Sequence, residues 1–364
     1  MCTLNKLETT TKRQWQVILL LALAGLMLLS RTIELVGCSK TDNGSGSSGG
    51  SEQAREKVSV RVASLKGPTS IGLVDFMEKV DKLTLAEDDG SWFDAIFDFT
   101  IYGTADEIVP RLISGDIDIA LLPANLAAVL YNRTDGGIRV INITTLGVLY
   151  VVSADDSITS LSDLAGRTIL MTGKGTTPEY VMNHLLSANG LTGNVALEYK
   201  SEATELAAAI NADPTAIAVL PEPYVSVVTN RNPDLSVRLS LTDEWARIES
   251  ENQLVTAVTV VRTEFLNEYP KLVSEFFGCQ YNSVAAVNAN PAAAAELVVK
   301  YGIIDDATVA TNAIPRCNLV CLTNTDMQAA LQSYLNVLYQ ADPGSIGGKI
   351  PDDDFYYTLL WEFR

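Results

Sequence analysis

Residues 119–129 read IALLPANLAAV, and residues 217–227 read IAVLPEPYVSV. The two segments align without a gap, because each is an apolar run that ends in proline and continues into a helix-like stretch. Continuous apolar runs are typical of buried strands, and ligands bind beyond the carboxyl ends of strands in open α/β sheets. The pair predicts two related lobes, each with a strand, a cleft-facing turn and a helix in equivalent places. Two buried strands that end in proline by coincidence are the alternative.

Strand-like and helix-like segments alternate around this pair, which is typical of an α/β fold. Residues 239–247 are predicted to be linking material, and the chain after residue 263 is predicted to be mainly helical. The first strand of the pair is predicted over 116–123, and the other predicted strands are 58–65, 97–103, the long β-rich run 141–153, 167–171, 195–201 and 254–263.

The segment MTGKGTTPEY (171–180) joins a predicted strand to a predicted helix. A nucleotide-binding P-loop requires Gly-x-x-x-x-Gly-Lys-Ser/Thr. Here a second glycine, Gly175, follows the glycine–lysine pair at 173–174 in place of the Ser or Thr, and the first glycine of the motif is missing. The segment is therefore not a nucleotide loop. Thr176 and Glu179 match a capping box, and free amides at a helix start favour an anion or a polar ligand atom. A capped turn without a ligand is the alternative.

An export signal is predicted at the N-terminus. A basic pair at 12–13 precedes thirteen apolar residues, 17–29, a length that suits a secretory signal and is short for a membrane-spanning helix. The sequence LVGC at 35–38 resembles a bacterial lipobox. Residues 1–37 are therefore predicted to be a lipoprotein signal peptide, with Cys38 as the lipidated residue.

Two charges depart from the pattern of a typical lipoprotein signal: Arg31 and Glu34 lie between the apolar run and the lipobox. An uncleaved N-terminal anchor is the alternative, and either reading exports the chain and tethers it to the membrane. Residues 38–56, rich in Gly, Ser and polar residues, are predicted to form a flexible tether.

Composition argues against several classes of protein. The 364 residues include 26 basic and 44 acidic ones, a net charge of −18, and no basic face is visible for a nucleic acid. His184 is the only histidine and falls within a predicted helix, which excludes a Ser-His-Asp triad and a histidine-based metal centre. No catalytic residue, metal site or cofactor is predicted.

Three cysteines would remain after export: Cys279, Cys317 and Cys321. An odd number in an oxidising compartment suggests at most one disulfide and one free thiol. A bridge between Cys279 and Cys317 is favoured, although the sequence does not fix the pairing.

Five motifs, taken in order, resemble one family. They are similar to the periplasmic solute-binding proteins of ABC importers, in the branch that binds nitrate, sulfonates, taurine and thiamine-pyrimidine precursors. The motifs are RVASLKGPTS (61–70), GTADEIVPRLISGDIDIALLPANLAAVLYN (103–132), ITTLGVLYVVS (143–153), SLSDLAGRTILMTGKGTTPEY (160–180) and AIAVLPEPYVSVV (216–228).

The resemblance covers roughly residues 57–340 and implies an α/β, two-lobed type II periplasmic-binding-protein fold. Residues 57–150 and 255–364 would form lobe 1, and residues 151–254 would form lobe 2. The chain would cross between the lobes twice, and hinge closure would trap the ligand in the cleft between them.

Family positions also imply a ligand site. Carried over, its residues are Gly67, Pro68, Thr69, Asn125, Thr144, Thr145, Gly173, Gly175, Thr176, Thr177 and Glu222. No arginine in these turns could clamp a sulfonate or nitrate, and the nearby cations are Lys66 and Lys174. Glu222 would repel an anion. A neutral or zwitterionic ligand, such as an aromatic amine of the pyrimidine type, is therefore expected to fit at least as well.

The resemblance implies an extracytoplasmic, lipid-anchored, monomeric protein that captures a small polar solute. It would deliver the solute to an ABC import permease without converting it. Two alternatives stay open: an enzyme on the same fold, such as a pyrimidine synthase or a lyase, and a sensory protein that signals to a membrane kinase. The enzymes lean on histidine, cysteine or metal centres, which these turns do not offer.

Overall fold

The computed structural model describes residues 57–85 and 95–359, which contain eleven strands and thirteen α-helices. The predicted signal peptide, Cys38 and the predicted tether lie outside these residues. In chain order the elements are β1 (Val58–Leu65), α1 (Pro68–Ile71), α2 (Val74–Leu85), β2 (Ala95–Tyr102), α3 (Ala105–Ser114), β3 (Ile119–Pro123), α4 (Ala124–Arg133), β4 (Ile138–Leu146), β5 (Leu149–Ser153), β6 (Thr168–Met171), α5 (Thr177–Ala188), β7 (Ala196–Tyr199), α6 (Ala203–Ala212), β8 (Ile217–Pro221), α7 (Tyr224–Arg231), β9 (Ser236–Ser240), α8 (Leu241–Ile248), β10 (Val255–Arg262), α9 (Thr263–Glu268), α10 (Pro270–Ala289), α11 (Pro291–Lys300), α12 (Ala307–Ala313), β11 (Leu319–Leu322) and α13 (Asn324–Ala341).

The strands form two sheets. The first has the order β11-β4-β10-β3-β1-β2, and the second has the order β7-β6-β8-β5-β9. In the first sheet β1 is parallel to β2 and β3, whereas β10 runs antiparallel to β3 and β4. In the second sheet β6 is parallel to β7 and β8, whereas β5 runs antiparallel to β8 and β9.

The two sheets repeat one arrangement. The series β2-β1-β3-β10-β4 matches the series β7-β6-β8-β5-β9 in order and in strand direction. The two similar segments of the sequence contribute the middle strands, β3 and β8, and the helices that follow them, α4 and α7. The structure therefore confirms the two equivalent α/β lobes predicted from these segments.

The chain passes between the sheets twice, from β4 to β5 and from α8 to β10. The β-rich run predicted at 141–153 is divided at Gly147, since β4 lies in the first sheet and β5 in the second. A Cβ at Gly147 would come within 2.2 Å of Thr242 Oγ1, so no larger residue fits at this crossing without a shift. Residues 149–150, assigned to lobe 1 from the sequence, lie in a strand of the second sheet.

The link predicted at 239–247 is wrong, because these residues fall within β9 and α8. Helix α8 buries Leu241 and Trp245 on one face, and the Ser240 hydroxyl accepts a hydrogen bond from the amide of Asp243 at 3.2 Å. The strand β11 (Leu319–Leu322), in the part of the chain predicted to be mainly helical, was also missed.

The C-terminal helix α13 packs against both lobes. Its side chains Met327, Leu331 and Tyr334 are buried in one hydrophobic cluster with residues of both sheets. Tyr334 contacts Trp245 of α8, with ring centroids 5.6 Å apart. The two lobes therefore share part of their core near the second crossing.

The predicted disulfide between Cys279 and Cys317 is not formed, because Cys279, Cys317 and Cys321 are all free thiols. Cys279 packs against the cluster around Phe76 on α2, whereas Cys317 is fully buried in a separate cluster with Ile303. Burial raises the pKa of Cys279 and Cys321 to about 12, so both thiols are protonated at neutral pH.

Candidate ligand cleft

A cleft with a volume of about 310 Å³ lies between the two lobes. Its first-lobe wall comes mainly from the loops after β1 and β2, and its second-lobe wall from the loops after β6 and β7. The residues that line it are Leu65, Lys66, Gly67, Pro68, Thr69, Gly103, Thr104, Ala105, Asp106, Pro123, Thr145, Val148, Leu149, Thr172, Gly173, Lys174, Thr176, Thr177, Pro178, Lys200, Ser201, Glu202, Ala203, Pro221, Thr256 and Ala257.

The four principal loops are equivalent in the two lobes, because β1 and β2 occupy the positions of β6 and β7. Three of the loops lead directly into helices of at least ten residues, α3, α5 and α6, with Thr104, Thr176 and Glu202 at their N-caps. The N-terminus of an α-helix carries a partial positive charge and amide donors without intrahelical partners. The cleft thus gathers three helix starts that favour negative charge.

Lysines from both lobes add positive charge to the cleft. Lys66 follows β1, Lys174 lies in the loop after β6, and Lys200 follows β7. The acidic side chains on the lining are those of Asp106 and Glu202. Among the lining side chains, three cations therefore face two carboxylates in a protein whose overall charge is strongly negative.

Glu202 lies against the opposite lobe. A Cβ built on Gly103 would stand 2.6 Å from Glu202 Oε1, so the carboxylate of lobe 2 occupies the space beside a first-lobe glycine. Its other oxygen accepts a hydrogen bond from Thr204 Oγ1 at 3.2 Å. Part of the hydrogen-bonding capacity of Glu202 is therefore used within the protein.

The loop at 173–177 is held by a carboxylate. Glu179 accepts hydrogen bonds from the amide of Gly175 and from the Tyr199 hydroxyl, at 2.5 and 2.7 Å. The Thr176 hydroxyl donates to the carbonyl of Gly173 at 2.7 Å. The capping box predicted for Thr176 and Glu179 is therefore not formed, because Glu179 reaches the residue before Thr176 instead. The effect is a loop fixed in position at the cleft wall.

Seven of the eleven predicted ligand residues line the cleft: Gly67, Pro68, Thr69, Thr145, Gly173, Thr176 and Thr177. The Thr69 hydroxyl donates to the carbonyl of Leu65 at 2.8 Å and accepts from its amide at 3.2 Å, so it also closes the turn after β1. The remaining four, Asn125, Thr144, Gly175 and Glu222, are not among the lining residues.

Asn125 is fully buried and bridges the lobes. Its amide nitrogen donates to the carbonyls of Gly175 at 3.3 Å and Ser345 at 3.0 Å, and its oxygen accepts from Thr177 Oγ1 at 3.2 Å. Both ends of the side chain are thus occupied by the protein. Thr144 is also buried, beside Thr145 in β4.

Glu222 is buried away from the cleft. Its carboxylate forms an ion pair with Arg316 at 2.8 Å and accepts hydrogen bonds from the amide and hydroxyl of Ser226. The expectation that Glu222 repels an anionic ligand is therefore wrong, because an arginine 94 positions further along the chain occupies the carboxylate.

The sequence reading missed Thr104, Asp106, Lys200 and Glu202, all in the loops after β2 and β7. The sequence predicts cleft-facing turns only after β1, β3, β6 and β8. The alternation of strands and helices could have predicted these two loops, because β2 and β7 are also parallel strands followed by helices.

Two lobes of matching topology around a cleft define a two-lobed periplasmic-binding-protein fold. The sequence profile of the family described as "ABC transporter, phosphonate, periplasmic substrate-binding protein" matches residues 90–277. The chain belongs to this family and is a substrate-binding protein of an ABC transporter. Curated protein sequences give no significant match.

Solved structures share the fold. An ABC transporter protein from Parabacteroides distasonis is 23% identical, with a TM-score of 0.66, and the match covers 83% of this chain and 99% of that one. The aliphatic sulphonate binding protein SsuA from Escherichia coli is 13% identical, with a TM-score of 0.63 and coverage of 82% and 96%. The alkanesulfonate-binding protein SsuA from Xanthomonas axonopodis pv. citri, bound to MOPS, is 11% identical, with a TM-score of 0.62 and coverage of 79% and 94%.

Within residues 57–85 and 95–359, no group of three or more His, Cys, Asp or Glu side chains is placed to hold a metal ion. Over the same residues, no helix combines the length and the apolar character needed to cross a membrane.

Proposed function

We propose that this substrate-binding protein captures a small solute that carries an oxyanion, such as a phosphonate or a sulfonate. The observation that carries the proposal is the joint presence of three helix N-termini and three lysines at one interlobe cleft. Helix starts and lysines attract an oxyanion through charge and hydrogen bonds, and a partly enclosed site strengthens both.

The sequence alone favours a neutral or zwitterionic ligand on two grounds: the negative charge of Glu222 and the lack of an arginine in the predicted turns. The first ground is removed by the pairing of Glu222 with Arg316. The second is weakened because Lys200 joins Lys66 and Lys174 at the cleft. Lysine binds an oxyanion as a point charge and does not need the planar fork of arginine.

A panel of solutes tests this proposal. The full chain, purified in detergent, is titrated with methylphosphonate, ethanesulfonate, nitrate and a neutral aminopyrimidine while thermal unfolding is followed. A solute that binds only the native state raises the unfolding temperature in a concentration-dependent way. We expect this for an oxyanion, with a smaller rise at high salt since lysines contribute.

Matched lysine variants assign the effect to the cleft. Lys174→Met and Lys200→Met are expected to weaken oxyanion binding, whereas Lys271→Met, on the exposed start of α10, leaves it unchanged. Stabilisation by the aminopyrimidine alone would overturn the oxyanion proposal.

We further propose that the mature protein is a monomer held on the outer face of the cell membrane by a lipid on Cys38. The motif LVGC at 35–38 and the Gly/Ser-rich segment after it support the lipid anchor. From this position the protein would hand its solute to the permease of the transporter. Mass spectrometry of the N-terminal peptide tests the anchor: a diacylglyceryl thioether on Cys38 is expected, and an unmodified Cys38 within a longer peptide would contradict it.

A further inference from the structure

A second polar contact joins the lobes outside the cleft. Glu222 and Ser226 belong to the second lobe, at the end of β8 and in α7, whereas Arg316 lies in a short 3₁₀ helix of the first lobe, before β11. None of the three lines the cleft.

The contact is built around a buried carboxylate. Glu222 is fully buried, and its carboxylate lies 2.8 Å from Arg316 Nε and accepts hydrogen bonds from Ser226 Oγ at 2.8 Å and Ser226 N at 3.2 Å. Arg316 Nη2 also donates to Ser226 Oγ at 2.5 Å. One guanidinium thus lies against the carboxylate and donates to the hydroxyl that the carboxylate accepts from, so the three side chains form one connected contact.

Both sides of this contact are tied to the first crossing between the lobes. The amide of Glu222 donates to the carbonyl of Val148 at 3.1 Å. From the first lobe, Asn318 Nδ2 donates to the carbonyl of Gly147 at 3.1 Å. The two residues that join β4 to β5, Gly147 and Val148, are therefore held from opposite lobes, by Asn318 and by Glu222.

We propose that Glu222, Ser226 and Arg316 form a hinge clasp, which fixes the relative orientation of the lobes in which the cleft binds its solute. The clasp sets the affinity for the solute without touching it. The proposal rests on the proposed capture of a solute between the lobes.

The energetic basis is the burial of Glu222. A buried carboxylate that loses its cationic partner is left uncompensated, so lobe orientations that separate Glu222 from Arg316 are disfavoured. A second interlobe pair offers a comparison: Arg231 and Asp305 are 3.9 Å apart, with side chains 63% and 90% exposed. Exposed pairs of this kind contribute little, so Arg231 supplies the matched control.

The first test needs no solute. Hydrogen–deuterium exchange is measured on the full chain in detergent for the wild type, Glu222→Gln, Arg316→Lys and Arg231→Gln. If the clasp fixes the lobes, both clasp variants exchange faster in residues 222–228 and also in residues 172–180, the cleft wall that Asn125 contacts from the other lobe. Arg231→Gln exchanges like the wild type. Arg316 is half exposed, so Arg316→Lys keeps the test valid if Glu222→Gln fails to fold.

The second test measures affinity for the oxyanion that stabilises the wild type best, for example methylphosphonate. Each single clasp variant is expected to bind it on the order of tenfold more weakly than the wild type. The double variant Glu222→Gln/Arg316→Lys is expected to bind it no more weakly than the worse of the two single variants. Faster exchange confined to residues 222–228, or unchanged affinity, would show that the clasp is only a local support and overturn the proposal. The exchange experiment contains no solute. Its result therefore tests the clasp even if the oxyanion proposal fails.

Discussion

Replacing Thr177 with valine removes one hydroxyl from the contact between the lobes and keeps the shape of the side chain. Thr177 is fully buried at the start of α5. Its Oγ1 donates to Asn125 Oδ1 at 3.2 Å and lies 3.4 Å from the carbonyl of Thr256. The Asn125 oxygen is buried as well, so it would be left without this donor in the variant.

The expected loss of solute affinity follows from the hydrogen bond that the substitution removes. A net hydrogen bond contributes about 1 kcal/mol, and a buried acceptor left unsatisfied raises the cost to about 1–3 kcal/mol. Because donor and acceptor belong to different lobes, the cost falls on the state in which the lobes are in contact. At about 1.4 kcal/mol per factor of ten, the solute affinity of Thr177→Val should fall roughly 5- to 150-fold.

The assay is isothermal titration with the best oxyanion, accompanied by thermal unfolding without solute. Thr177→Ser retains the hydroxyl and is expected to bind within about threefold of the wild type. Thr177→Val should also lower the unfolding temperature of the solute-free protein by about 2 °C or more. Equal affinities for the valine and serine variants would refute the reasoning. A loss of affinity without any change in solute-free stability would assign the hydroxyl to the solute and not to Asn125.

Three further predictions concern the loop, the first sheet and the thiols. Gly173 (φ +78°) and Gly166 (φ +72°) both have left-handed backbone, so each alanine variant should lose about 1–2 kcal/mol of unfolding free energy. Only Gly173→Ala should weaken solute binding, because its Cβ would lie 2.6 Å from the Thr176 hydroxyl. Equal solute affinities for the two variants would contradict this prediction. Asp118→Asn weakens charge-assisted hydrogen bonds and should lower the free energy of unfolding in urea by about 1.5–3 kcal/mol at pH 7. The difference from the wild type should shrink below about pH 4, and a constant difference would argue against an ionic contribution. Cys279 and Cys321, which are partly buried, should react slowly with iodoacetamide at pH 8 in the native protein and faster after unfolding in urea, and rapid native alkylation would contradict their raised pKa values.

The pH dependence at Asp118 follows from its surroundings. Burial raises the pKa of this carboxyl group, but hydrogen bonds from Arg61 at 2.7 and 2.8 Å and from Arg262 at 2.9 Å outweigh burial, so its pKa lies below the usual value. A carboxyl group with a lower pKa in the folded state contributes stability above its unfolded pKa. That contribution is lost as the pH falls through the folded pKa.

Local signals explain how much of the fold could be predicted. The apolar runs at 119–123 and 217–221 indicated buried strands, and the structure places both in the middle of a sheet. The edge strand β9 and helix α8 lack such runs, because one face of each meets solvent, and the sequence therefore predicts a link over residues 239–247, the end of β9 and most of α8. A period of 3.6 residues that buries Leu241 and Trp245 was the available signal.

The site was predictable only where one loop defines it. Gly173, Thr176 and Thr177 could be placed because a strand, a glycine-containing turn and a helix start follow one another in the sequence. Glu222 could not, because its environment depends on Arg316, which reaches it from the other lobe. Periodicity and turn chemistry report on residues that are close in the sequence. They therefore do not predict an ion pair between residues of different lobes.

In both lobes, the loops after different strands have different roles. In each sheet the middle strand, β3 or β8, pairs with the strand that follows a crossing, β10 or β5. Its carboxyl end therefore lies beside the hinge, and the turn after it contacts the opposite lobe: Asn125 reaches Gly175 and Thr177, and Glu222 reaches Arg316. The outer parallel strands end further from the hinge, and their loops carry the lysines and helix starts of the cleft. Variation of solute specificity should therefore concentrate in the loops after β1, β2, β6 and β7, whereas changes at the two proline-containing turns should alter affinity for every solute alike.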